Sequence, residues 1–283
     1  TGDPSGLFSG TYGTGDGGNI NLSGPILSFT DGAQVSVSAR KGSSGRGGSI
    51  NINNTGSVII AGENSTKAPS GLFSGTYSTG KGGDISVETG SLSIADGGTI
   101  SAESTTTANA GTININARGL LSINSSSITT DAKNAVGGNI NITGRDVQLT
   151  HGGAIKADVG SGEGKGGNVT INASTLVLLE KSSITAKAAK GYGGDITIDA
   201  EATFFSDDSY LDASSEETGK DGKITVTSPV LDITNYLVPL REAFLKADQF
   251  MLESCEARDP EEASSFVIDS GEGLPPGPDY LLR

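Results

Sequence analysis

Carboxylates that recur at one turn of a repeating unit are the residues whose type and spacing could do chemistry. Glu180 and Asp207, extended by Asp208, come from neighbouring units, whereas neutral residues mostly separate the other carboxylates of this column. Stacked carboxylates can hold calcium or carry out acid–base catalysis. Solvated turn residues are the simpler interpretation, and a cation site or catalysis at Glu180, Asp207 and Asp208 are the alternatives. The aligned column reads Asp31, Gly62, Asp96, Ser125, His151, Glu180, Asp207 and Asn235.

A nine-residue segment, PSGLFSGTY, occurs twice without change, and its two copies together carry four aromatic side chains. It occupies residues 4–12 and again residues 69–77, a separation equal to two repeating units. We interpret it as an enlarged loop that places its aromatic residues on the same edge of the molecule, two units apart. Such a loop either folds over its own rings or offers a platform on which sugar rings stack. The candidate stacking residues are Phe8, Tyr12, Phe73 and Tyr77.

Other kinds of site are disfavoured by the residues present. The single cysteine, Cys255, excludes an intramolecular disulfide and a cysteine-based zinc site, and the single histidine, His151, excludes a histidine-rich metal site. The glycine-rich stretch at residues 160–167 leads into a strand pattern rather than a helix, so it is not a phosphate-binding loop. We therefore assign no catalytic residue and expect no cofactor other than the calcium of the alternative above.

Charge and composition restrict the partners. The chain has 283 residues, 43 of them glycine, no tryptophan, and a net charge of −14. This charge repels phosphate backbones and anionic headgroups, so we expect neither nucleic acid nor an acidic membrane surface as partner. No apolar run is long enough to span a bilayer. Abundant glycine with few aromatic residues indicates a small-residue, repetitive structure.

A phrase of the form Gly-Gly-polar-Ile-polar-aliphatic recurs eight times and sets the architecture. The copies lie about 28 residues apart, and in most units alternating runs of apolar and polar residues follow the phrase, which is typical of strands with one buried face. We predict that Ile140, Ile142, Val147, Leu149 and Ile155 point inward. The copies are GGNINL, GGSINI, GGDISV, AGTINI, GGNINI, GGNVTI, GGDITI and DGKITV.

These features predict an all-β fold, a parallel β-solenoid of about eight coils with three short strands in each. At about 4.8 Å per coil the stack would be roughly 40 Å long. The glycine pair marks a bend, which we attribute to the freedom of glycine to adopt positive φ. The polar residue after each pair, from Asn19 to Lys223, is expected to form a ladder of side-chain hydrogen bonds. The structural corner glycines are Gly18, Gly48, Gly83, Gly138, Gly167 and Gly194.

The pattern changes after residue 235, which divides the chain into three predicted segments. Residues 1–235 form the solenoid, residues 236–258 a capping segment with a short amphipathic helix, and residues 259–283 an extended tail rich in proline, glycine and acid. A helix at the end of a solenoid would cover an otherwise open sheet edge. We expect Cys255 to be buried beside this helix, with an intermolecular disulfide or an anchoring role as the alternative.

The repeat phrases and the C-terminal residues together resemble a known family, the haemagglutinin-like passenger proteins of bacterial two-partner secretion, in particular their cyanobacterial branch. The ending that carries this resemblance comprises Cys255, SSFV at residues 264–267 and GLPPGP at residues 273–278. It departs from the branch in reading SGEG at residues 270–273. The resemblance implies a right-handed β-helix, export by the Sec route, passage through an outer-membrane transporter, and a secreted, cell-surface location. The chain would be the C-terminal part of a larger protein.

We expect a non-enzymatic extracellular rod that acts as a stalk, fibre or adhesin. Its partners would be the export transporter and cell-surface glycans or other surface proteins. One alternative is a carbohydrate-active β-helix enzyme, a lyase or hydrolase, and another is a self-assembling filament or sheath subunit that associates end to end. Loss of activity on changing Asp207 or Asp208 would favour the enzyme, and concentration-dependent fibres would favour the filament.

Overall fold

A computed structural model describes residues 5–77 and 79–228 of the chain, and these form a parallel β-solenoid of about eight coils. The chain divides into two units, Thr1–Leu231 and Asp232–Arg283, and every described residue lies in the first. The strands are, in chain order, β1 (Gly6–Phe8), β2 (Ile20–Thr30), β3 (Gln34–Ser36), β4 (Ile50–Ala61), β5 (Gly71–Phe73), β6 (Ile85–Thr89), β7 (Ser91–Ala95), β8 (Thr99–Ser101), β9 (Ile113–Asn124), β10 (Ser127–Thr129), β11 (Ile140–Thr150), β12 (Ala154–Lys156), β13 (Val169–Leu178), β14 (Ser183–Thr185), β15 (Ile196–Phe205), β16 (Tyr210–Asp212) and β17 (Ile224–Thr227).

Two parallel sheets and a line of single bridges make up the walls of the solenoid. The first sheet stacks the short strands in the order β1-β3-β5-β8-β10-β12-β14-β16. The second stacks the long strands in the order β2-β4-β6-β9-β11-β13-β15-β17, with β7 between β4 and β9. On a third side each coil forms an isolated bridge to the next, in the series Thr11, Ala39, Thr76, Ser104, Ala132, Val159, Ala188 and Ser215.

The strands are of two lengths rather than three equal ones, which corrects the predicted coil. In most coils the first two predicted runs form one strand of 10–12 residues, as in β4 and β11, and the third run is a strand of three residues. A register shift between Gly144 and Asp146 bends the long strand without ending it. A bulge lets a strand turn and keep its pairing, so the alternation of both runs stays in phase with one core.

The inward positions are confirmed. Ile140, Ile142, Val147, Leu149 and Ile155 have relative exposures of 0–1% and belong to one continuous hydrophobic core. The parallel register stacks aliphatic side chains on aliphatic side chains, since Ile140 pairs with Ile113 in the preceding coil and with Val169 in the following coil. β-branched side chains on a pleated surface pack well in such columns, so every coil buries the faces of its two neighbours.

The corner glycines are required for close approach of backbones, which corrects the explanation from positive φ. None of the six predicted corner glycines has positive φ. Instead, a Cβ built on Gly83, Gly138 or Gly167 would overlap the carbonyl oxygen of the corner glycine in the preceding coil. Any side chain at this corner would therefore push the coils apart. The first glycine of each pair is less constrained, since alanine takes its place at Ala110.

The predicted polar ladder is present, and its hydrogen bonds run from main chain to side chain. Ser49 N–H donates to Asn19 Oδ1 at 2.9 Å, and Asn168 N–H donates to Asn139 Oδ1 at 3.0 Å. Lys223 N–H closes the series on Asp195 Oδ1 at 2.9 Å, a bond that is the main reason why the pKa of Asp195 is lowered. Asn19, Asp84, Asn139, Asn168 and Asp195 each accept the N–H at the same position one coil later, whereas the hydroxyls of Ser49 and Thr112 do not.

The predicted capping segment, residues 236–258, and the predicted tail, residues 259–283, lie outside the described residues. The predicted amphipathic helix, Cys255 and Asn235 therefore also lie outside the described residues. The right-handedness implied by the family resemblance stays a prediction.

Candidate functional site

The acidic turn column is in register, and backbone conformation accounts for much of its composition. Asp31, Asp96, Ser125, His151 and Glu180 all have φ between 47° and 58°, in the left-handed region. Aspartate and histidine tolerate this region better than most side chains because they are short and polar or planar. Glycine follows at three of these turns, Asp31, Asp96 and His151, and each of these glycines also has positive φ. The turn geometry thus favours these residue types without any ligand.

Glu180 turns its carboxylate toward the preceding coil. Its Oε2 lies 2.9 Å from Nδ1 of His151 and 3.3 Å from the His151 main-chain nitrogen. Both side chains are more than half exposed, so this is a surface pair of the kind that contributes little stability. His151 also lies 3.1 Å from the amide of Asn124. The histidine is therefore a surface turn residue with two side-chain neighbours.

Asp208 lines a surface groove of about 320 Å³ together with Glu180, His151, Gly152 and Lys181, whereas Asp207 is not among the lining residues. Ser206 donates its hydroxyl to Asp208 Oδ1 at 2.6 Å, and this bond, with the N–H of Lys181, lowers the pKa of Asp208. Ser206 also accepts the N–H of Glu180 at 3.1 Å. Within residues 5–77 and 79–228, no three His, Cys, Asp or Glu side chains group as metal ligands. Calcium binding at Glu180, Asp207 and Asp208 stays a prediction.

The duplicated segment forms strands of the solenoid, so its interpretation as an enlarged loop is wrong. Its two copies provide β1 and β5, which pair with the two sides of β3. This register places Phe8 and Phe73 opposite Ser36, on the same face and two strands apart, as expected. Phe73 folds its ring over Gly71, since a Cβ built there would lie 2.8 Å from the ring.

The two tyrosines of the segment lie at the corner that follows the single bridges. Tyr12 is 76% exposed and Tyr77 is 50% exposed. Backbone bonds from Arg40 N–H to the Thr11 carbonyl and from Tyr77 N–H to the Ala39 carbonyl place Arg40 between the tyrosines. A surface groove of about 380 Å³ is lined here by Arg40, Lys41, Tyr77, Thr105 and Thr106.

A second carboxylate column, which the sequence analysis missed, lies on the other side of the bridge residues. Glu103, Asp131 and Asp158 each precede a bridge residue in three consecutive coils, so they stack one strand spacing apart. They line a groove of about 380 Å³ together with Ser104, Thr105, Ala132, Lys133 and Gly160. We call Glu103, Asp131 and Asp158 the carboxylate column.

The hydrogen bonds of the carboxylate column run along the solenoid. Asp131 Oδ1 accepts the N–H of Asp158 at 2.9 Å, and Asp158 Oδ1 accepts the N–H of Lys187 at 2.7 Å. Thr185 donates its hydroxyl to Asp158 Oδ2 at 2.9 Å. At this second corner, as in the polar ladder, main-chain N–H groups donate to side-chain oxygens of the preceding coil.

Burial and the charge of a neighbouring carboxylate raise the pKa values of two members of this column, Glu103 and Asp131. Burial raises the pKa of Glu103, and the charge of Asp131 raises it further, against hydrogen bonds from Ser101 and Thr129. The pKa of Asp131 is also raised, first by burial and then by Asp158, against the N–H bond from Asp158. Carboxyls with raised pKa values can hold or donate a proton at mildly acidic pH.

The signal for this column was present in the alternating runs. The third runs of successive coils read TISAES, SITTDA and AIKADV, and alignment on their buried isoleucines puts Glu103, Asp131 and Asp158 at one position. Alignment on the second-to-third strand turn instead selected the exposed turn column. Alignment on the run that contains the short strand predicts the stacked carboxylates correctly, because a buried residue sets the register of that run.

No model of a known family matches the chain, and neither does any curated protein or any solved structure. Its repeat and its stacked parallel sheets define a β-solenoid repeat protein. Within the described part of the chain, no helix has the length and apolar character needed to cross a membrane.

Proposed function

We propose that this chain is a non-enzymatic extracellular rod, part of a larger surface protein that acts as a stalk, fibre or adhesin. The observation that carries the proposal is the unbroken stack of coils from β2 to β17, with its ladder of hydrogen bonds from Asn19 to Lys223. Each coil contacts its neighbours along its whole perimeter, an arrangement that resists bending.

The mechanism of such a rod is geometric. Its outward columns repeat at the strand spacing of about 4.8 Å, so weak contacts of one kind recur along an edge and add to one another. The resemblance of the repeats to two-partner secretion passengers supports export through an outer-membrane transporter. In that case the transporter is a partner, and cell-surface glycans or proteins are the class of target.

Electron microscopy tests this proposal. The purified full chain should contain a rod segment of about 40 Å, and antibodies against it should label the surface of the cells that produce it. Particles without an elongated segment would contradict the rod, and labelling confined to the cell interior would contradict the extracellular role.

The carboxylate column gives a specific reason to test an enzyme as the second candidate. Two carboxyls about one or two strand spacings apart can serve as acid and base in glycoside cleavage, and Glu103 and Asp131 have raised pKa values. If the chain shortens a polysaccharide and Asp131→Asn abolishes the cleavage, the enzyme replaces the rod as the function. Unchanged polymer length with wild-type protein supports the non-enzymatic proposal.

The edge of the long-strand sheet gives a specific reason to test self-assembly. Among the described strands, β2 pairs with β4 alone, and Ile20, Leu22 and Phe29 of β2 are only partly buried. An open strand edge with apolar side chains can pair with another copy. Light scattering that rises with protein concentration, with fibres in the microscope, would favour the filament over isolated rods.

A further inference from the structure

Positive charge is concentrated at one corner of an otherwise acidic solenoid. This corner comprises, in each coil, the residues between the single bridge and the next glycine pair. It holds eight Lys and Arg against four Asp and Glu, whereas the rest of the described chain holds seven against 17. The cations of the corner are Arg40, Lys41, Arg46, Lys81, Lys133, Lys165, Lys190 and Lys220.

Near β1 to β5 the corner carries two exposed tyrosines and four cations. We call these six side chains the cationic-aromatic patch: Tyr12, Arg40, Lys41, Arg46, Tyr77 and Lys81. Farther along the same corner, Tyr192 is also exposed, but a cation of the chain already lies beside its ring, since Lys220 Nζ is 5.6 Å from the ring centre. The pairing of β1, β3 and β5 sets Tyr12 and Tyr77 two strand spacings apart, about 9.6 Å.

Three of the four cations of the patch form no ion pair within the described chain. Arg40, Lys41 and Arg46 form no ion pair with any described residue, and Lys81 makes one long contact, 3.7 Å to Asp84. The positions equivalent to the carboxylate column are neutral here, namely Gly10, Ser38 and Gly75. Gly10 lies beside the Arg40 side chain, since a Cβ built there would lie 3.6 Å from Arg40 Nε, an ordinary contact distance.

We propose that the cationic-aromatic patch binds a linear polysaccharide that carries carboxylates, a polyuronate. The planar guanidinium of Arg40 matches a carboxylate in a two-bond geometry, and Lys41 adds a second donor at the groove. The exposed rings of Tyr12 and Tyr77 offer apolar faces to sugar rings on either side of that cation. The inference deepens the proposed adhesive function and rests on it, because it names the ligand class of the rod.

The charge of the surrounding surface favours a polyuronate over a nucleic acid. Outside the corner the described chain holds seven Lys and Arg against 17 Asp and Glu. A duplex is wide enough to approach this acidic surface, whose carboxylates repel it. A single polysaccharide chain is narrow enough to contact one corner and to avoid the acidic faces.

Binding of the full chain to immobilised polygalacturonate tests the proposal, with fully methyl-esterified polymer and single-stranded DNA as comparison ligands. Arg40→Gln with Lys41→Gln removes two patch cations. Lys67→Gln with Arg145→Gln is the matched control, since it removes two exposed cations elsewhere. We expect the patch variant to weaken polygalacturonate binding about tenfold and the control variant to change it less than twofold.

The proposal would be overturned by no polygalacturonate binding of wild-type protein, by equal loss in the two variants, or by tighter patch-dependent binding of DNA. Binding that persists with the methyl-esterified polymer would equally contradict a carboxylate ligand. These failures are distinguishable from failure of the proposed rod, because microscopy of the same preparation reports rods whether or not the polymer binds. Weakening of wild-type binding by salt provides a measurement that needs no variant.

Discussion

Two neighbouring regions of the solenoid share a frame and differ in surface chemistry. Around β3 and β5 the position before each bridge is Ser38 or Gly75, next to the cationic-aromatic patch. In the three following coils the same position holds the carboxylate column. The inward columns hardly change, since Ile50 and Ile140 are both 0% exposed. Packing thus restricts inward residues, while outward positions hold different chemistry at a fixed spacing.

The shared frame should fail equally in both regions when a corner glycine acquires a side chain. Gly83→Ala and Gly167→Ala each place a Cβ against the carbonyl of the preceding corner glycine. We expect each to lower the free energy of unfolding by about 3 kcal/mol, measured by thermal and denaturant unfolding. Gly13→Ala and Gly160→Ala are controls, because a Cβ at either position meets no atom within 4 Å.

The controls should change the unfolding free energy by no more than about 0.5 kcal/mol. A large loss for Gly167→Ala together with a negligible one for Gly83→Ala would contradict a common frame.

The carboxylate column should give its region a pH dependence that the patch region lacks. The pKa of Asp131 is higher in the fold than its ordinary value of 3.8, so the folded chain binds this proton more tightly than the unfolded one. Stability from this group is therefore lost as pH rises from about that value through the folded pKa. Asp131→Asn keeps an oxygen acceptor for the N–H of Asp158 and removes the charge.

We expect Asp131→Asn to gain stability relative to wild type as pH rises from 4 to 7, by about 1 kcal/mol at most. Asp199→Asn, which removes a carboxylate from the exposed face of β15, is the matched control for the change of side chain. Unfolding curves across this pH range would measure both. An unchanged slope in Asp131→Asn would show that the column does not bind its proton more tightly in the fold.

Of the features tested, the hydrogen-bond ladder should contribute least to the free energy of unfolding, and its contribution should be equal in the two regions. Asn19→Ala removes the acceptor of Ser49 N–H, and Asn139→Ala removes that of Asn168 N–H. Because both asparagines are exposed and water can replace them, each change should lower the free energy of unfolding by about 0.5 kcal/mol. Hydrogen exchange at the freed amides would detect the local effect, and unaltered exchange would contradict the ladder.

Inward alternation and the glycine pair were sufficient to predict the solenoid and its core. Burial leaves few choices at positions such as Ile142 and Ile155, so the period is visible in the residues themselves. Strand length was predicted less well, because a register shift near Gly144 joins two runs that look separate in the sequence. The role of the corner glycines was also misjudged, since the restriction comes from the next coil.

The candidate sites were harder to predict because outward residues obey no packing rule. The exposed turn column attracted attention through its acids, yet left-handed turns explain Asp31 and Asp96. The carboxylate column can be found from the sequence, because aligning the third run of each coil on its buried isoleucine places the three carboxylates at one position. The cationic-aromatic patch can be recognised only from the stacked coils, because Arg40 and Tyr77 are far apart in sequence and become neighbours through the register of the coils.

Hydrogen exchange of the full chain with and without polygalacturonate, together with the final polymer length, tests the central claim most directly. A binding rod predicts slower exchange at residues 40–46 and 77–81 with polymer of unchanged length. Slower exchange around Glu103, Asp131 and Asp158 with shortened polymer would contradict the account and assign catalysis to the carboxylate column. Unchanged hydrogen exchange at every residue would contradict the proposal that the chain binds this polysaccharide.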